Sequence, residues 1–589
     1  MLWRILASIC LRGMKLLEAL NIIQSSATSN AEPFRVALVC GFTPLDVQTF
    51  LHAELQAGMP GRRVEIQVGH FGDIAGTLRK LHAESLNAIA LVLEWSDLDA
   101  RLGTRQLGGW GPAHLNDIVE HAGNWLAHIE QVLDSFSCPI AVTLPALPLP
   151  PLFHMAGWQL SRHEAALRSA VSSFAESVSR NPRVRLINAQ RLDERSPMAT
   201  RFDMKSEWTT GFPYSSAHAG TVAALLSSAI VNAPPKKGLI TDLDNTLWRG
   251  IVGDAGVKNV WWDLDHSAQH HGVYQQMLST LAQEGVLVAI ASKNHPAVVQ
   301  ETFERHDILI PKDRIFPLDV SWGSKAHAVS RILTAWNIAA NAVVFVDDNP
   351  AELAEVEAAH PGIEAILFPD GSPKRVYELC VRLRDIFGKP NISAEDEIRL
   401  ESLRAGAAIK ATADNSEGFS EALLEHADAD LTLSFRKDPE DARIFELINK
   451  TNQFNLNGKR IGEAEWGAWL NRDDTFVVAA TYKDRFGALG KIAVLSGCRK
   501  GTHTCVHHWV MSCRAFARRI EYQCVKALFE HLGTDSIVFD YVPTDRNGPL
   551  TKLLTEFGAG KPPEANFSLQ RDAFLAACPK LFHQVHTEG

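Results

Sequence analysis

Two carboxylates one residue apart close an apolar run in Leu239-Ile240-Thr241-Asp242-Leu243-Asp244-Asn245-Thr246. An extended backbone sends alternate side chains to one face, so Asp242 and Asp244 start on the same side where the chain leaves a strand. Two carboxylates there suit a hard cation such as Mg²⁺ and an oxygen nucleophile. A lone pair of this kind is usually a solvated loop. Here three later stretches share its build. In 285–294 (GVLVAIASKN) an apolar run delivers Ser292, placed to hydrogen-bond a phosphate oxygen, followed by Lys293 and Asn294. In 322–329 (WGSKAHAV) Lys325 opens a helix behind Ser324, a natural cap. Its ammonium can neutralise both a phosphate and a nucleophilic carboxylate. In 342–350 (AVVFVDDNP) another apolar strand ends in Asp347 and Asp348, with Pro350 and Glu352 beginning a helix. Singly, these are a cap, a surface charge and a helix N-terminus. Four in one order, each at a strand end, are the parts of a phosphoryl-transfer site.

The elements that must position them alternate strand and helix, the pattern of a parallel α/β sheet. Such open sheets bind ligands at the carboxyl ends of their strands, so all four groups belong on one edge. A helix over 268–284, stopped by Gly285, leads into the second strand. Only a short stretch separates Thr246 from Ser292, which leaves little room for a large cap domain and predicts an open site. Upstream, strands at 34–40 (FRVALVC), 63–68, 89–93, 139–144 and 184–187 alternate with helices at 45–55, 114–135 and 161–179, a second parallel α/β domain. Residues 232–238 (NAPPKKG) are a linker by composition. Downstream, a polar helical spacer over 390–430 precedes strands at 431–436, 476–482, 491–495, 507–511 and 537–541. Helices at 439–448 and 514–532 interrupt these strands.

Composition bounds the rest. The chain has 589 residues, enough for about three or four domains. Its formal net charge is −10, from 58 basic and 68 acidic residues, and it has no long basic run. A nucleic-acid partner is therefore excluded on electrostatic grounds. Nine cysteines without a CxxC pair fit a reducing cytoplasm rather than a disulfide framework. His270-His271 and His507-His508 are not spaced as a zinc site. The first residues mix apolar stretches with Arg4, Arg12 and Lys15, without a small-residue cleavage site. The expectation is that Met14 is the natural start. No segment is long and apolar enough for a membrane span.

On its four motifs, 236–385 resembles the haloacid dehalogenase superfamily. Residues 248–256 (WRGIVGDAG) with 347–352 (DDNPAE) narrow this to the FkbH-like subgroup, subfamily IIIC, although Ala255 stands where an acidic residue is common. The resemblance implies a Rossmann-like core with a minimal cap. It makes Asp242 the nucleophile and Asp244 the general acid/base. Thr246, Ser292, Lys293, Asn294 and Lys325 become phosphate- and substrate-binding residues. Asp242, Asp244 (through its carbonyl), Asp347 and Asp348 become the ligands of Mg²⁺. Residues 1–235 resemble SGNH-hydrolase-like domains but hold Cys40-Gly41-Phe42-Thr43 at the nucleophile position. They also hold Ser215-Ser216-Ala217-His218 without the acid. A relay of that type needs its third member, so this domain reads as a docking module, with Thr43 and His218 structural. After a helical linker (386–430), residues 431–589 resemble a GNAT-like α+β acyltransferase domain, in which an anion would meet the helix N-terminus near Arg514. The 449–455 stretch (NKTNQFN) and Met511-Ser512-Cys513-Arg514 are FkbH-like features. Cys513 would carry an acyl group, its thiol helped by Arg514 and His508, and Asn449, Asn452 and Asn455 would line the acyl pocket. FkbH-like proteins load a glyceryl unit from 1,3-bisphosphoglycerate onto an acyl carrier protein in polyketide-type biosynthesis. The same resemblance also allows a phosphatase acting on another small or carrier-tethered phosphate, with the C-terminal domain as a carrier-binding module.

Overall fold

The computed structural model describes residues 14–26, 31–81, 85–232, 234–389, 392–412, 424–439, 441–451, 454–485, 487–501, 503–512, 515–516, 518–544 and 547–588. The chain divides into two compact units, 1–233 with 462–469, and 234–461 with 470–589. The second unit holds two sheets.

The first unit is built on β1 (Pro33–Cys40), β2 (Arg63–Val68), β3 (Ala88–Val92), β4 (Ile140–Thr143) and β5 (Val184–Leu186), all parallel in the order β2-β1-β3-β4-β5. The strands are apolar runs because both faces are covered. Ala37, Val39, Ile89, Leu91 and Val142 face one cluster, and Val36, Leu38, Ala90 and Val92 the other. Helices Leu45–Gly58, Leu115–Leu133, Arg162–Val178 and Ser216–Val231 cover these faces. Residues 462–469 also count to this unit. Within it, the Arg185 guanidinium donates to both carboxylate oxygens of Glu463 at 2.6 and 2.8 Å.

The second unit begins with β6 (Gly238–Thr241), β7 (Leu287–Ser292), β8 (Ile315–Val320), β9 (Val343–Asp347) and β10 (Glu364–Leu367). These strands are parallel in the order β10-β9-β6-β7-β8. Chain order reverses between β6 and β9, so the crevice of a doubly wound sheet opens there. Period-two burial again splits the strands. Leu239, Val288, Ile290, Val344 and Val346 pack on one side, and Ile240, Ala289, Ala291, Val343 and Phe345 on the other. The insert after β6 carries only a helical turn, Val252–Ala255, a bridge pairing Arg249 with Trp261, and the helix Gln269–Gln283. Gly285 stops that helix at φ +79°, and its carbonyl accepts from Arg399 at 2.7 Å.

The remaining seven strands are β11 (Asp430–Ser434), β12 (Thr475–Asp484), β13 (Gly487–Lys500), β14 (His503–Met511), β15 (Ser536–Phe539), β16 (Phe567–Gln570) and β17 (Gln584–Glu588). They run in the order β16-β15-β14-β13-β12-β11-β17. β12, β13 and β14 form an antiparallel meander, while β14 and β15 are parallel. A parallel neighbour needs a crossover, which the helix Ile520–Leu532 supplies. This helix starts later than the sequence suggests. Arg519 lies at φ +60°, a left-handed conformation that a helix interior does not tolerate. Arg518 turns inward to Asp484, at 3.3 Å. No helix among the described residues is long and apolar enough to cross a membrane, and the described cysteines are all free.

Candidate active site

β6 delivers Asp242 to the crevice. The strand ladder carries one step beyond it, with Asp242 N–H donating to Val346 O at 3.0 Å. The chain then turns sharply. Asn245 sits at φ +52°, which asparagine tolerates better than most residues, and its side-chain carbonyl accepts from Gly250 N–H at 3.0 Å. Leu247 N–H returns to Leu243 O at 2.8 Å. The turn buries Thr246 and Trp248 completely. It also faces Asp242 and Asp244 with different partners.

Asp242 meets the ion-pair system of the site. Lys325 is buried at the first turn of the helix Lys325–Trp336, where Ser324 caps the helix by accepting from His327 N–H. Its Nζ lies 2.5 Å from Asp242 Oδ1 and 2.9 Å from Asp347 Oδ2. Asp347, at the end of β9, also accepts from Asn349 N–H at 2.9 Å. Asn349 caps the following helix, Pro350–Ala359. The carboxylates of Asp242, Asp347 and Asp348 lie within 4.8 Å of one another. Two buried acids thus share one ammonium, with a third acid beside them. Burial holds Asp242 up at about 6 against the pull of Lys325, with repulsion from Asp347 adding to the rise. Burial and then Asp347 push Asp348 upward too. Burial opposes the charge on Lys325, but the two carboxylates overcome it and raise its pKa. This surplus of negative oxygen donors fits a hard divalent cation, which would restore full ionisation to the acids.

Asp244 is oriented separately. Its Oδ1 accepts from Trp248 Nε1 at 2.9 Å and Val252 N–H at 3.1 Å, and its Oδ2 from Asn294 Nδ2 at 2.7 Å. Its carboxylate therefore stands apart from the three that cluster. Ser292, buried at the end of β7, receives a long contact of 3.5 Å from Asn294 Nδ2. Lys293 turns to Glu352 instead, at 2.6 Å. Sequence spacing alone did not reveal Trp248 and Val252 as the groups that aim Asp244. The only signal was their place in the tight turn.

The other expected residues lie elsewhere. Cys513, Arg514 and Asn452 fall outside the described residues. His508, at the β13–β14 pairing, has its Nδ1 3.0 Å from Ser496 Oγ. Burial, aided by His507 and Lys459, pushes it down to about 4. Asn449 donates to Phe445 O and Ile461 O, and Asn455 to Thr451 O. Asn449, in the helix Ala442–Lys450, and Asn455 thus both donate to backbone carbonyls. In the first unit, Thr43 donates to Thr210 O at 2.9 Å. His218 is buried edge-on to Tyr214 with Nδ1 2.9 Å from Ser196 Oγ, and burial pushes it down to about 3. Beneath the same strand ends, buried Glu94 accepts from Tyr214 OH, Ala146 N–H and Leu147 N–H. Burial raises Glu94 to about 7 and Asp97 to about 8.

No family model matches the chain, and no curated protein sequence matches it. Among solved structures, it is similar to the N-terminal part of the protein BF1531 from Bacteroides fragilis, which contains a phosphatase domain and was crystallised with Mg. The identity is 18%, the TM-score 0.52, and the match covers 63% of this chain and 99% of that one. The fold is shared. An uncharacterised protein from Corynebacterium glutamicum matches 26% of this chain and 98% of its own at 18% identity and TM-score 0.19. The salicylyl-acyltransferase SsfX3 from a tetracycline biosynthetic pathway matches 35% of this chain and 55% of its own at 14% identity and TM-score 0.21. Scores so low carry no argument. The chain is thus a multidomain α/β protein with a Rossmann-like core of the kind seen in that phosphatase domain.

Proposed function

We propose that this chain is a Mg²⁺-dependent phosphohydrolase of the haloacid dehalogenase type whose product is an acyl group destined for a carrier protein. One observation carries the reading. Three carboxylates and one buried lysine converge at the crevice between β6 and β9, while a fourth acid is held apart by its own donors. That division separates a nucleophile from an acid/base. Asp242, Asp347 and Asp348, with the Asp244 carbonyl, would hold Mg²⁺, which supplies charge to offset the approach of carboxylate to phosphate.

Asp242 attacks phosphorus as the bond to the leaving oxygen breaks, and Asp244, protonated, hands its proton to that oxygen. Asp244, now a carboxylate, then takes a proton from water. The water oxygen attacks the aspartyl-phosphate, releasing phosphate and free Asp242. Lys325 and Ser292 bind the phosphoryl oxygens, and Thr246 and Asn294 keep the loop and Asp244 in place.

The finer reading follows the FkbH-like resemblance. The Cys513 thiolate attacks the acyl carbon of 1,3-bisphosphoglycerate, breaking its bond to the phosphate oxygen and giving a thioester. The remaining 3-phosphate is hydrolysed at Asp242. The glyceryl group then passes by thioester exchange to the phosphopantetheine thiol of an acyl carrier protein in the cytoplasm. The small insert after β6 supports a tethered substrate. In the second reading the C-terminal sheet only grips the carrier and Cys513 is not acylated. Intact-protein mass spectrometry decides between them. Enzyme, 1,3-bisphosphoglycerate, Mg²⁺ and holo carrier protein are incubated together. A glyceryl-sized adduct on the carrier that disappears in Cys513→Ala supports the first reading. An adduct that survives supports the second, and no adduct on either protein overturns carrier loading altogether.

A further inference from the structure

A second group of metal-ligating side chains lies beside the phosphoryl-transfer loop. His270 and His271 open the helix Gln269–Gln283, and Asp370 follows β10 a hundred positions later. Their sequence spacing resembles no zinc pattern, yet the fold brings a nitrogen of each histidine and a carboxylate oxygen within 4.8 Å of one another. His270 Nε2 is 3.4 Å from Asp370 Oδ1, and His271 Nε2 is 3.5 Å from the same oxygen. Ligands at about 2.0–2.2 Å from a tetrahedral ion stand about 3.3–3.6 Å apart. These two separations match edges of such a tetrahedron and are longer than good hydrogen bonds.

The protonation pattern points the same way. His271 is fully buried, and its Nδ1 lies 2.9 Å from Thr246 O. A ring nitrogen meets a carbonyl only by donating, so Nδ1 carries the proton. In a neutral ring Nε2 is then a bare lone pair, and it has no hydrogen-bond partner. It faces a carboxylate, another electron donor. Two donors aimed at one point need a cation between them. Nδ1–H donating to a backbone carbonyl is the arrangement that fixes a metal-binding imidazole. Asp370 is likewise oriented, its Oδ1 accepting from Gly371 N–H at 2.8 Å.

We propose that His270 Nε2, His271 Nε2 and the Asp370 carboxylate form a second metal site, for a borderline divalent ion of the zinc class. The donor set of two imidazoles and one carboxylate suits zinc rather than magnesium. Three protein ligands leave one position for water or an incoming oxygen ligand. Asp370 is partly exposed, so that position faces solvent. The site touches both sides of the active-site edge. His271 holds Thr246 in the Asp242–Asp244 loop, and Phe368, two residues before Asp370, donates its N–H to Asp347 O at 2.8 Å. A bound ion would brace the loop that carries the nucleophile. The proposal does not depend on the phosphatase reading.

Zinc binding to the full chain, stripped with a chelator and titrated calorimetrically, tests it. Asp348→Asn serves as the background, because it removes an acid of the carboxylate centre and keeps these three side chains, changing only the charge beside Asp370. One tight Zn²⁺ equivalent is expected there, and Co²⁺ in its place should give the visible absorption of a tetrahedral site. Adding His270→Ala or Asp370→Asn should weaken binding by more than about a hundredfold. Asp370 is exposed and His270 nearly buried, so circular dichroism must show a retained fold in each variant, and Asp370→Asn is the milder change. Unchanged affinity in both variants would overturn the site. So would loss of all zinc binding in Asp348→Asn alone, since the ion would then belong to the carboxylate centre.

Discussion

Replacing Asp244 by Asn should separate the two halves of the reaction. The carboxylate accepts three hydrogen bonds, from Trp248 Nε1, Val252 N–H and Asn294 Nδ2. An amide in the same place keeps its oxygen for Trp248 and Val252 and turns its NH₂ toward Asn294. One charge-assisted bond is lost, a change of about 1.5–3 kcal/mol if nothing responds. The Asn294 side chain can rotate to present its own oxygen, which brings the expected loss to about 1 kcal/mol. The fold should survive. The chemistry should not, because an amide cannot take a proton from water. Loss of general acid/base help costs about 10²–10⁴ in rate, or about 3–5 kcal/mol at the transition state. The first step is less affected when the leaving group departs without a proton, as p-nitrophenolate does. Phosphoryl groups should then accumulate on Asp242. Acid-quenched intact-mass spectra would show a phosphoryl adduct, and peptide mapping would place it at Asp242. Steady-state phosphate release would fall by at least a hundredfold. Release at the wild-type rate would refute the assignment. An unfolded variant would refute the reasoning about Asn294.

Asp242→Asn should abolish Mg²⁺-dependent phosphate release and give no adduct, while a detectable turnover above background would remove Asp242 as nucleophile. Lys325→Met leaves buried Asp242 and Asp347 without their shared cation. It should cost about 3–5 kcal/mol in denaturant titrations without metal, and Mg²⁺ should return part of it. A loss below about 1 kcal/mol would mean that the pair is not held as described. Chelation of Mg²⁺ should stop phosphate release and readdition restore it, whereas activity indifferent to chelation would exclude a metal role. In the first unit, Glu94 and Asp97 are raised to about 7 and about 8 by burial, so the folded state prefers their protonated forms. Their contribution is fully present below the ordinary carboxyl range and is lost as pH rises through these values. Protection of residues 88–97 against hydrogen exchange, taken relative to the intrinsic amide rate at each pH, should fall between pH 5 and 8, and Asp97→Asn should flatten the trend. An unchanged slope in that variant would sink the assignment.

The meeting of Asp242, Lys325 and Asp347 was legible because each part is local. An apolar run of four to six residues specifies a strand in a two-faced sheet, and the first polar residue after it must emerge at the carboxyl edge. Asp242, Ser292 and Asp347 obey that rule, and Lys325 follows its cap. The sheet order β10-β9-β6-β7-β8 then places Asp242 and Asp347 on adjacent strands, although a hundred residues separate them. The direction of each side chain was not legible. Nothing in the DLDNT stretch says that Asp242 turns to Lys325 while Asp244 turns to Asn294, because that depends on one tight turn with Asn245 at positive φ. The helix expected from 514 was misplaced for a related reason. Its apolar spacing is regular, but Arg519 breaks the backbone before it.

His270 and His271 mark where local reading ends. Adjacent histidines at a helix start have no metal-site spacing, because their third partner lies beyond four strands and three helices. What reveals them is a physical inconsistency visible only in three dimensions. A buried nitrogen without a proton faces a carboxylate, and neither satisfies the other. Burial makes protonating the ring costly, since it pushes His271 down to about 4. The Asp242–Asp347 pair has the same imbalance, with more buried negative charge than Lys325 can neutralise. At one edge of one sheet, two clusters of donors are each short of a cation, one built of oxygen and one mostly of nitrogen. Hard and borderline ions divide along that line. The two sites should therefore fill with different metals from the same solution, magnesium at the carboxylates and zinc at the histidines.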